Sequence, residues 1–218
     1  MTRRAFAANE HSTDQMQRSG SVSRRSSVVR NAKATRLRTK KSLLVLTIGH
    51  LTRPLDEFIE TLQAHAVKRL VDVRTVPRSR FNPQFNRDTL PEALRKAGIA
   101  YTHMSNLGGL RHPRADSPNA GWRNASFRGF ADYMQTPEFA AGLEALVKVA
   151  REEQIALMCA EALPWRCHRS LIADALTVGD VSVEHIMSAT ARHAHTLTPW
   201  AQVRKKRLTY PAQSGRQA

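Results

Sequence analysis

The chain has 218 residues, of which 41% are hydrophobic, so it has room for one domain with a sizeable core and for tails. No apolar run approaches the roughly 20 residues that a membrane-spanning helix needs, and the N-terminus lacks the apolar stretch of a secretory signal. These features exclude a membrane protein and predict a soluble, cytoplasmic one.

The net charge of +16 is concentrated at the two ends of the chain. Residues 1–41 contain eleven Lys and Arg against two acidic residues, and residues 197–218 add five basic residues and no acidic one. The segment between them carries a net charge of only +2. The basic character that would suggest nucleic-acid binding therefore belongs to the tails.

Residues 1–41 are rich in Arg, Ser and Thr and have no helical or strand period, which predicts a disordered basic arm. The simplest interpretation is a solvated tail. The composition is also typical of a nucleic-acid-binding arm or an organellar transit segment, and an over-extended gene start, with Met16 as an internal start, is a further alternative. The basic run at residues 204–207 has the same simple interpretation, with phosphate contact second.

Short apolar segments alternate with amphipathic segments along the rest of the chain. Apolar runs predict strands at residues 42–48, 69–73, 100–104, 155–158 and 183–187. Apolar residues spaced three and four apart predict helices at residues 54–64, 89–97, 130–135, 137–153 and 166–176. Residues 105–129 are rich in Gly, Pro, Asn and Arg without a period, so we expect a long loop over or beside a site.

This alternation predicts a single α/β domain over residues 42–188, with a mostly parallel sheet and helices on both faces. The expected architecture is three-layered, of the Rossmann-like or flavodoxin-like kind, with residues 189–218 as a basic C-terminal tail. In such sheets ligands bind beyond the carboxyl ends of the strands. The residues that follow each strand are therefore the candidates for a site.

The residues at these positions are unusually rich in side chains that carry charge, protons or a nucleophile. Catalytic roles are predicted for Cys167, Cys159, Glu161, His168 and His50. Binding of an anion is predicted for Arg74, Arg78, Arg80, Asn82, Arg128, Arg166 and Arg169. Three of these arginines fall within seven residues, which favours a phosphate or carboxylate clamp, although they can also be merely solvated.

The densest part of this set is MCAEALPWRCHRS, residues 158–170. A strand delivers Cys159, and a helix is expected to open near Arg166 and Cys167, where unpaired backbone N–H groups stabilise an anion or a thiolate. Strand, Cys, loop, Arg and helix is also how cysteine phosphatases and rhodaneses build an anion cradle. Their loops have Cys-x5-Arg spacing with glycines, whereas this chain has Cys-x6-Arg with none, so the similarity is one of design and not of membership.

Each of these residues has a structural alternative. Free cysteines are among the most buried residues, which favours a packing role for Cys159 more than for Cys167. A zinc site of both cysteines with His168 or His50 lacks a second close ligand pair, so metal binding ranks below anion binding and no metal ligand is predicted. Glu161 can be an ion-pair partner that orients arginines, and His50 can be a capping residue.

We therefore expect an enzyme that acts on a small anionic substrate, such as a nucleotide or another phosphorylated compound. The alternative is a nucleic-acid-binding module that holds a phosphate or a displaced base while the basic tails follow the backbone. A ligand-sensing domain without catalysis is a third hypothesis. The sequence indicates neither a cofactor nor an oligomeric state.

Seven motifs resemble the DUF488 family in order and spacing, over about residues 44–187. They are TIGH (47–50), VDVRTVPRSRFNPQFN (71–86), LGG (107–109), FRGFADYM (127–134), MCAE (158–161), CHR (167–169) and VEHI (183–186). DUF488 is a family of unknown function whose members are mainly bacterial. The resemblance supports the domain limits and a cytoplasmic setting, and it implies no reaction, cofactor or substrate.

Overall fold

The structure is a computed structural model that describes residues 43–212. The strands in this range are β1 (Leu44–Gly49), β2 (Arg69–Asp72), β3 (Ala100–His103), β4 (Ile155–Cys159), β5 (Ser182–Ile186), β6 (Arg192–Ala194), β7 (Gln202–Arg204) and β8 (Arg207–Thr209). The helices are α1 (Leu55–Ala64), α2 (Leu90–Lys96), α3 (Ala125–Tyr133), α4 (Pro137–Glu152) and α5 (Arg169–Val178). None of these helices is long and apolar enough to cross a membrane. The predicted basic arm, residues 1–41, lies outside the described residues, as do residues 213–218.

Six strands form one sheet in the order β3-β2-β4-β1-β5-β6. All neighbouring strands are parallel except β5 and β6. The residues of β1 and β4 are almost all buried, as expected for parallel strands that are covered on both faces. This mostly parallel sheet confirms the predicted α/β class.

Helices cover both faces of the sheet. On one face, Phe58 of α1 and Leu90 of α2 pack into a cluster with the strands. On the other face, α3, α4 and α5 contribute Phe130, Leu146 and Leu171 to a second cluster. The domain therefore has the three layers that the sequence predicts.

The placement of the helices makes the carboxyl end of β4 a natural position for a site. Strand β4 lies between β1 and β2. The helix that follows β4 packs on the opposite face from the helices that follow β1 and β2. The chain therefore leaves adjacent strand ends in opposite directions, which opens a crevice beyond them. Cys159, the last residue of β4, lies at this crevice.

The long loop before α3 is shorter than predicted, because α3 begins at Ala125, five residues earlier than expected. The Asn124 side chain caps this helix by accepting hydrogen bonds from two N–H groups of the first turn. Farther along α3, the carboxylate of Asp132 accepts hydrogen bonds from the side chains of Ser117 and Asn119. The loop is thus fastened to the helix that follows it.

The C-terminal segment differs from the predicted tail over residues 189–212. Strand β6 extends the main sheet beside β5, and β7 pairs with β8 in a hairpin. Part of the basic run forms the turn of this hairpin, where Lys205 and Lys206 have positive φ angles. These strands have three residues each and are mostly exposed, so they show none of the apolar alternation from which a strand is predicted.

One buried carboxylate anchors this C-terminal segment to α5. Asp174 is fully buried and accepts hydrogen bonds from His195, Thr198 and the hydroxyl group of Tyr210. His195 donates from Nε2, so its Nδ1 accepts a hydrogen bond from Nε2 of His185, at 3.0 Å. Nδ1 of His185 lies 2.7 Å from the hydroxyl group of Thr47, and burial, with nearby positive charge, lowers the pKa of this histidine to about 4.

We expect His185 to make the fold less stable in mild acid. A histidine in the unfolded chain has a pKa near 6.5, whereas His185 in the folded protein has a pKa of about 4. Between these values the unfolded state binds a proton that the folded state does not. The free energy of unfolding therefore falls as the pH falls through this range, by about 3 kcal/mol in total.

Denaturant titrations between pH 7 and pH 4 measure this effect. The variant His185→Gln should lose this part of the pH dependence, and His112→Gln, a change at an exposed histidine that does not contribute to the low pKa of His185, should keep it. The same pH dependence in wild type and His185→Gln would contradict the assignment.

Candidate functional site

A cleft of about 620 Å³ lies beyond the carboxyl ends of β1, β2 and β4. Nine of the twelve predicted site residues line it, namely His50, Arg74, Arg78, Asn82, Cys159, Glu161, Arg166, Cys167 and His168. The other three are not among the lining residues, namely Arg80, Arg128 and Arg169. The fold thus brings most of the predicted residues to one place.

Two cysteines and one histidine converge on the buried side of this cleft. Nδ1 of His168 lies 3.7 Å from Sγ of Cys167 and 4.0 Å from Sγ of Cys159. The two sulfur atoms and this nitrogen all lie within 4.8 Å of one another. Both cysteines are free thiols, 8% exposed for Cys159 and 3% for Cys167, so they contact the cleft through a small part of their surface.

The ring of His168 is held in one orientation. Its Nε2 donates a hydrogen bond to the carbonyl of Val73, at 3.1 Å, and its edge packs against Phe130. The loop after β3 approaches this ring closely at Gly109, where a Cβ atom would collide with the ring, so this position requires glycine. Nδ1 therefore faces the two sulfur atoms, where it is placed to accept or return a proton.

The two thiols have opposite acidities. The neighbouring thiol of Cys167 lowers the pKa of Cys159 well below its usual range despite burial, and His168 and Arg169 lower it further. The same contact raises the pKa of Cys167, and burial raises it more. These directions favour Cys159 as the thiolate of the pair and Cys167 as the thiol. The sequence favours a packing role for Cys159 more than for Cys167, and the structure buries both side chains.

Arg169 is a buried cation behind the loop that follows β4. Its side chain is 1% exposed, and its two terminal nitrogens donate to the carbonyls of Glu161 and Ala162, at 2.5 and 2.7 Å. Nε has no acceptor, and none of the ion pairs in residues 43–212 includes this residue. A buried charge without a counter-charge is costly, so a nearby thiolate stabilises it.

The loop between β4 and α5 differs from the predicted helix start. Pro164 begins a separate 3-10 turn, Cys167 has an extended backbone, and α5 begins at Arg169, three residues later than predicted. The loop also crosses the end of β1 closely, because a Cβ atom at Gly49 would collide with the carbonyl group of Glu161. The extended backbone at Cys167 interrupts the helical path, and Cys167 therefore precedes the helix.

Arg74 is held in place by a buried ion pair. Its Nε and NH2 donate to the carboxylate of Asp72, at 2.9 and 2.6 Å, and NH2 also donates to the carbonyl of Phe85. Asp72 accepts a further hydrogen bond from the hydroxyl group of Tyr101. The charge of Arg74 is thus balanced inside the protein. Its guanidinium group lies at the cleft in a fixed position and is already paired with a carboxylate, whereas an anion clamp needs an unpaired guanidinium group.

His50 completes this network. Its Nδ1 donates to the carbonyl of Leu51, which leaves Nε2 to accept a hydrogen bond from NH1 of Arg74, at 3.2 Å. The ring stacks on Phe85, and burial lowers the pKa of His50, although the bond to Leu51 opposes this. Both nitrogens are engaged, so the geometry suits a residue that positions Arg74 better than one that exchanges protons.

The remaining predicted residues are more exposed. Arg78 and Arg166 line the cleft and are free of ion pairs within the part of the chain that is described. The carboxylate of Glu161 is exposed and also takes part in none of these ion pairs, so it is not the partner that orients the arginines. Arg80 is exposed outside the cleft, and Arg128 is half-buried on α3.

Eleven further lining residues were not predicted, among them Thr75, Gly109 and Phe127. The hydroxyl group of Thr75 accepts a hydrogen bond from the backbone N–H of Leu110, which ties the loop after β2 to the loop after β3. All three belong to motifs that resemble the family. None of the three side chains carries a charge or a thiol, so a search for charged and nucleophilic residues does not select them.

The chain is an α/β protein with a cleft at the carboxyl end of its sheet, and two free cysteines line this cleft. The family model described as Domain of unknown function DUF488 matches residues 54–176. This match covers more than half of the chain, and the protein belongs to the DUF488 family. It includes both cysteines and every lining arginine, whereas His50 precedes it. No curated protein and no solved structure matches the chain.

We expect Asp72→Asn to lower the free energy of unfolding by about 3–5 kcal/mol, because it leaves the guanidinium of Arg74 buried without a counter-charge. Urea denaturation measures the change. The control is Glu92→Gln, which removes an exposed ion pair with Arg95 and should leave the stability close to that of wild type. A change in Asp72→Asn no larger than in the control would show that the buried pair has no such structural role.

Proposed function

We propose that the protein is an enzyme that acts on a small anionic substrate, with the thiolate of Cys159 as the nucleophile. The observation that carries this proposal is the convergence of Cys159, Cys167 and His168 beside a buried arginine, Arg169, that has no carboxylate partner within the described part of the chain. The thiolate is the reactive form of cysteine. A hydrogen-bond donor and nearby positive charge are the usual means of stabilising it near neutral pH.

The charges around the cleft favour an anionic substrate. Asp72 neutralises Arg74, which leaves Arg78 and Arg166 as exposed guanidinium groups, against one exposed carboxylate on Glu161. Guanidinium groups bind phosphate or carboxylate with paired hydrogen bonds. The volume of about 620 Å³ is within the range for small-molecule sites. A phosphorylated or nucleotide-like compound satisfies both conditions.

The remaining groups have roles that follow from their positions. Nδ1 of His168, at 4.0 Å from Sγ of Cys159, is placed to transfer a proton to a leaving group, while its Nε2 stays bonded to Val73. Arg169 fixes the loop after Cys159 through two carbonyl groups. It acts on the nucleophile through its charge.

Alkylation by iodoacetamide as a function of pH tests the nucleophile. In wild type we expect one cysteine to react well below the pH of about 8.5 at which an ordinary thiol becomes half ionised. Cys159→Ser should lose this reaction, and Cys167→Ala should move it to higher pH because the hydrogen-bond donor is gone. Cys167→Ser keeps a donor and serves as the control. Ordinary reactivity for both cysteines would rule out the proposal.

Protection from alkylation tests the anionic substrate. Inorganic phosphate should slow the alkylation of Cys159 in wild type, and this protection should weaken at least several-fold in the double variant Arg78→Ala, Arg166→Ala. Arg80→Ala is the matched control, since it removes an exposed arginine from the same segment outside the cleft. Equal protection in all three proteins would mean that the two arginines do not hold the anion.

A further inference from the structure

The proposed function gives Cys167 only the task of donating a hydrogen bond. A serine hydroxyl would also donate one, so this task does not require a thiol. The sulfur atom of Cys167 lies within 4.8 Å of the sulfur atom of Cys159, and both belong to free cysteines. A thiol in this position differs from a hydroxyl group in one chemical respect, because it can form a disulfide with its neighbour.

We propose that Cys167 is the resolving thiol of a two-cysteine reaction, and that the substrate is an anionic compound that carries an electrophilic sulfur, such as a disulfide. This inference rests on the proposed function, since it uses Cys159 as the first nucleophile and the same arginines for binding. It adds the class of substrate and a role for the second cysteine.

The reaction has two balanced steps. In the first, the thiolate of Cys159 attacks one sulfur of a substrate R–S–S–R′, so that a bond forms between Sγ and this sulfur and R′–S⁻ leaves. In the second, Cys167 loses its proton to R′–S⁻ and attacks Sγ of Cys159, which forms the Cys159–Cys167 disulfide and releases R–S⁻. The substrate disulfide is reduced to two thiols, and the two cysteines are oxidised. A dithiol reductant then restores them.

The contact between the two cysteines explains the order of the steps. The bond to the Cys159 thiolate is the main cause that raises the pKa of Cys167. Once Cys159 forms a mixed disulfide it carries no negative charge, so this cause disappears and Cys167 ionises more easily. Nδ1 of His168 lies 3.7 Å from Sγ of Cys167 and is placed to assist that proton transfer.

Other chemistry at the same atoms fits less well. A phosphoryl or acyl group on Cys159 is hydrolysed when water attacks phosphorus or carbon, and this step does not require a second thiol. The two cysteines and His168 are also a ligand set of the kind that binds zinc. Zinc with two thiolates and a neutral imidazole has no net charge, which leaves Arg169 without a counter-charge. One thiolate on Cys159 balances that arginine.

Oxidised glutathione, an anionic disulfide, is the probe that tests this inference. Reduced full-length protein, purified without chelator, is mixed with the probe, quenched with acid and weighed by intact mass spectrometry. Wild type should form the internal disulfide, with the loss of two hydrogens and the release of two glutathione thiols. Cys167→Ser should stop at a mixed disulfide with one glutathione on Cys159. Cys159→Ser should form neither product.

The outcomes separate this inference from the proposed function. If Cys159 alkylates at low pH but wild type accumulates the same mixed disulfide as Cys167→Ser, the resolving role is overturned and the nucleophile stands. If Cys159 does not react in wild type with either reagent, both proposals fail. Stoichiometric zinc in the purified protein, lost in both cysteine variants, would overturn the resolving role in favour of a metal site.

Discussion

Arg169 places a positive charge inside the protein, and no carboxylate among residues 43–212 forms an ion pair with it. Its terminal nitrogens donate to two carbonyl groups of the loop after β4, and its Nε has no acceptor in the same range. The group that fixes this loop is therefore also the group that needs a negative charge nearby, and the thiolate of Cys159 supplies one. The shape of the loop depends on this side chain at the start of α5, and the low pKa of Cys159 depends on it after Cys167 and His168.

The two buried arginines, Arg74 and Arg169, differ in whether a carboxylate of the described residues balances their charge. Arg74 is balanced by Asp72 and also bonded to Phe85 and His50, so its charge stabilises the fold beside the cleft. Arg169 has no carboxylate partner among residues 43–212, so its charge can stabilise a thiolate. The exposed arginines Arg78 and Arg166 line the cleft, where they can bind a ligand. Arginine thus has three different roles in and behind one cleft.

The sequence predicts the sheet and most of the site for a simple physical reason. Long apolar runs mark the buried strands β1 and β4, and residues that follow parallel strands must meet at one edge, which is why His50, Arg74 and Cys159 share a cleft. Features that depend on contacts between distant loops cannot be predicted from the spacing of apolar residues. One is the relative acidity of the two cysteines. Another is the formation of the three-residue strands β6 to β8, beside which His195 and Tyr210 bind Asp174.

The link between Arg169 and the thiolate of Cys159 is tested most directly by titrating that thiolate, through its ultraviolet absorbance, in a Cys167→Ser background where one cysteine remains. Arg169→Lys keeps the positive charge, and Arg169→Met removes it. The pKa of Cys159 should be as low with lysine as with arginine and measurably higher with methionine, in variants whose near-ultraviolet circular dichroism is unchanged. An equally low pKa with methionine would contradict the account.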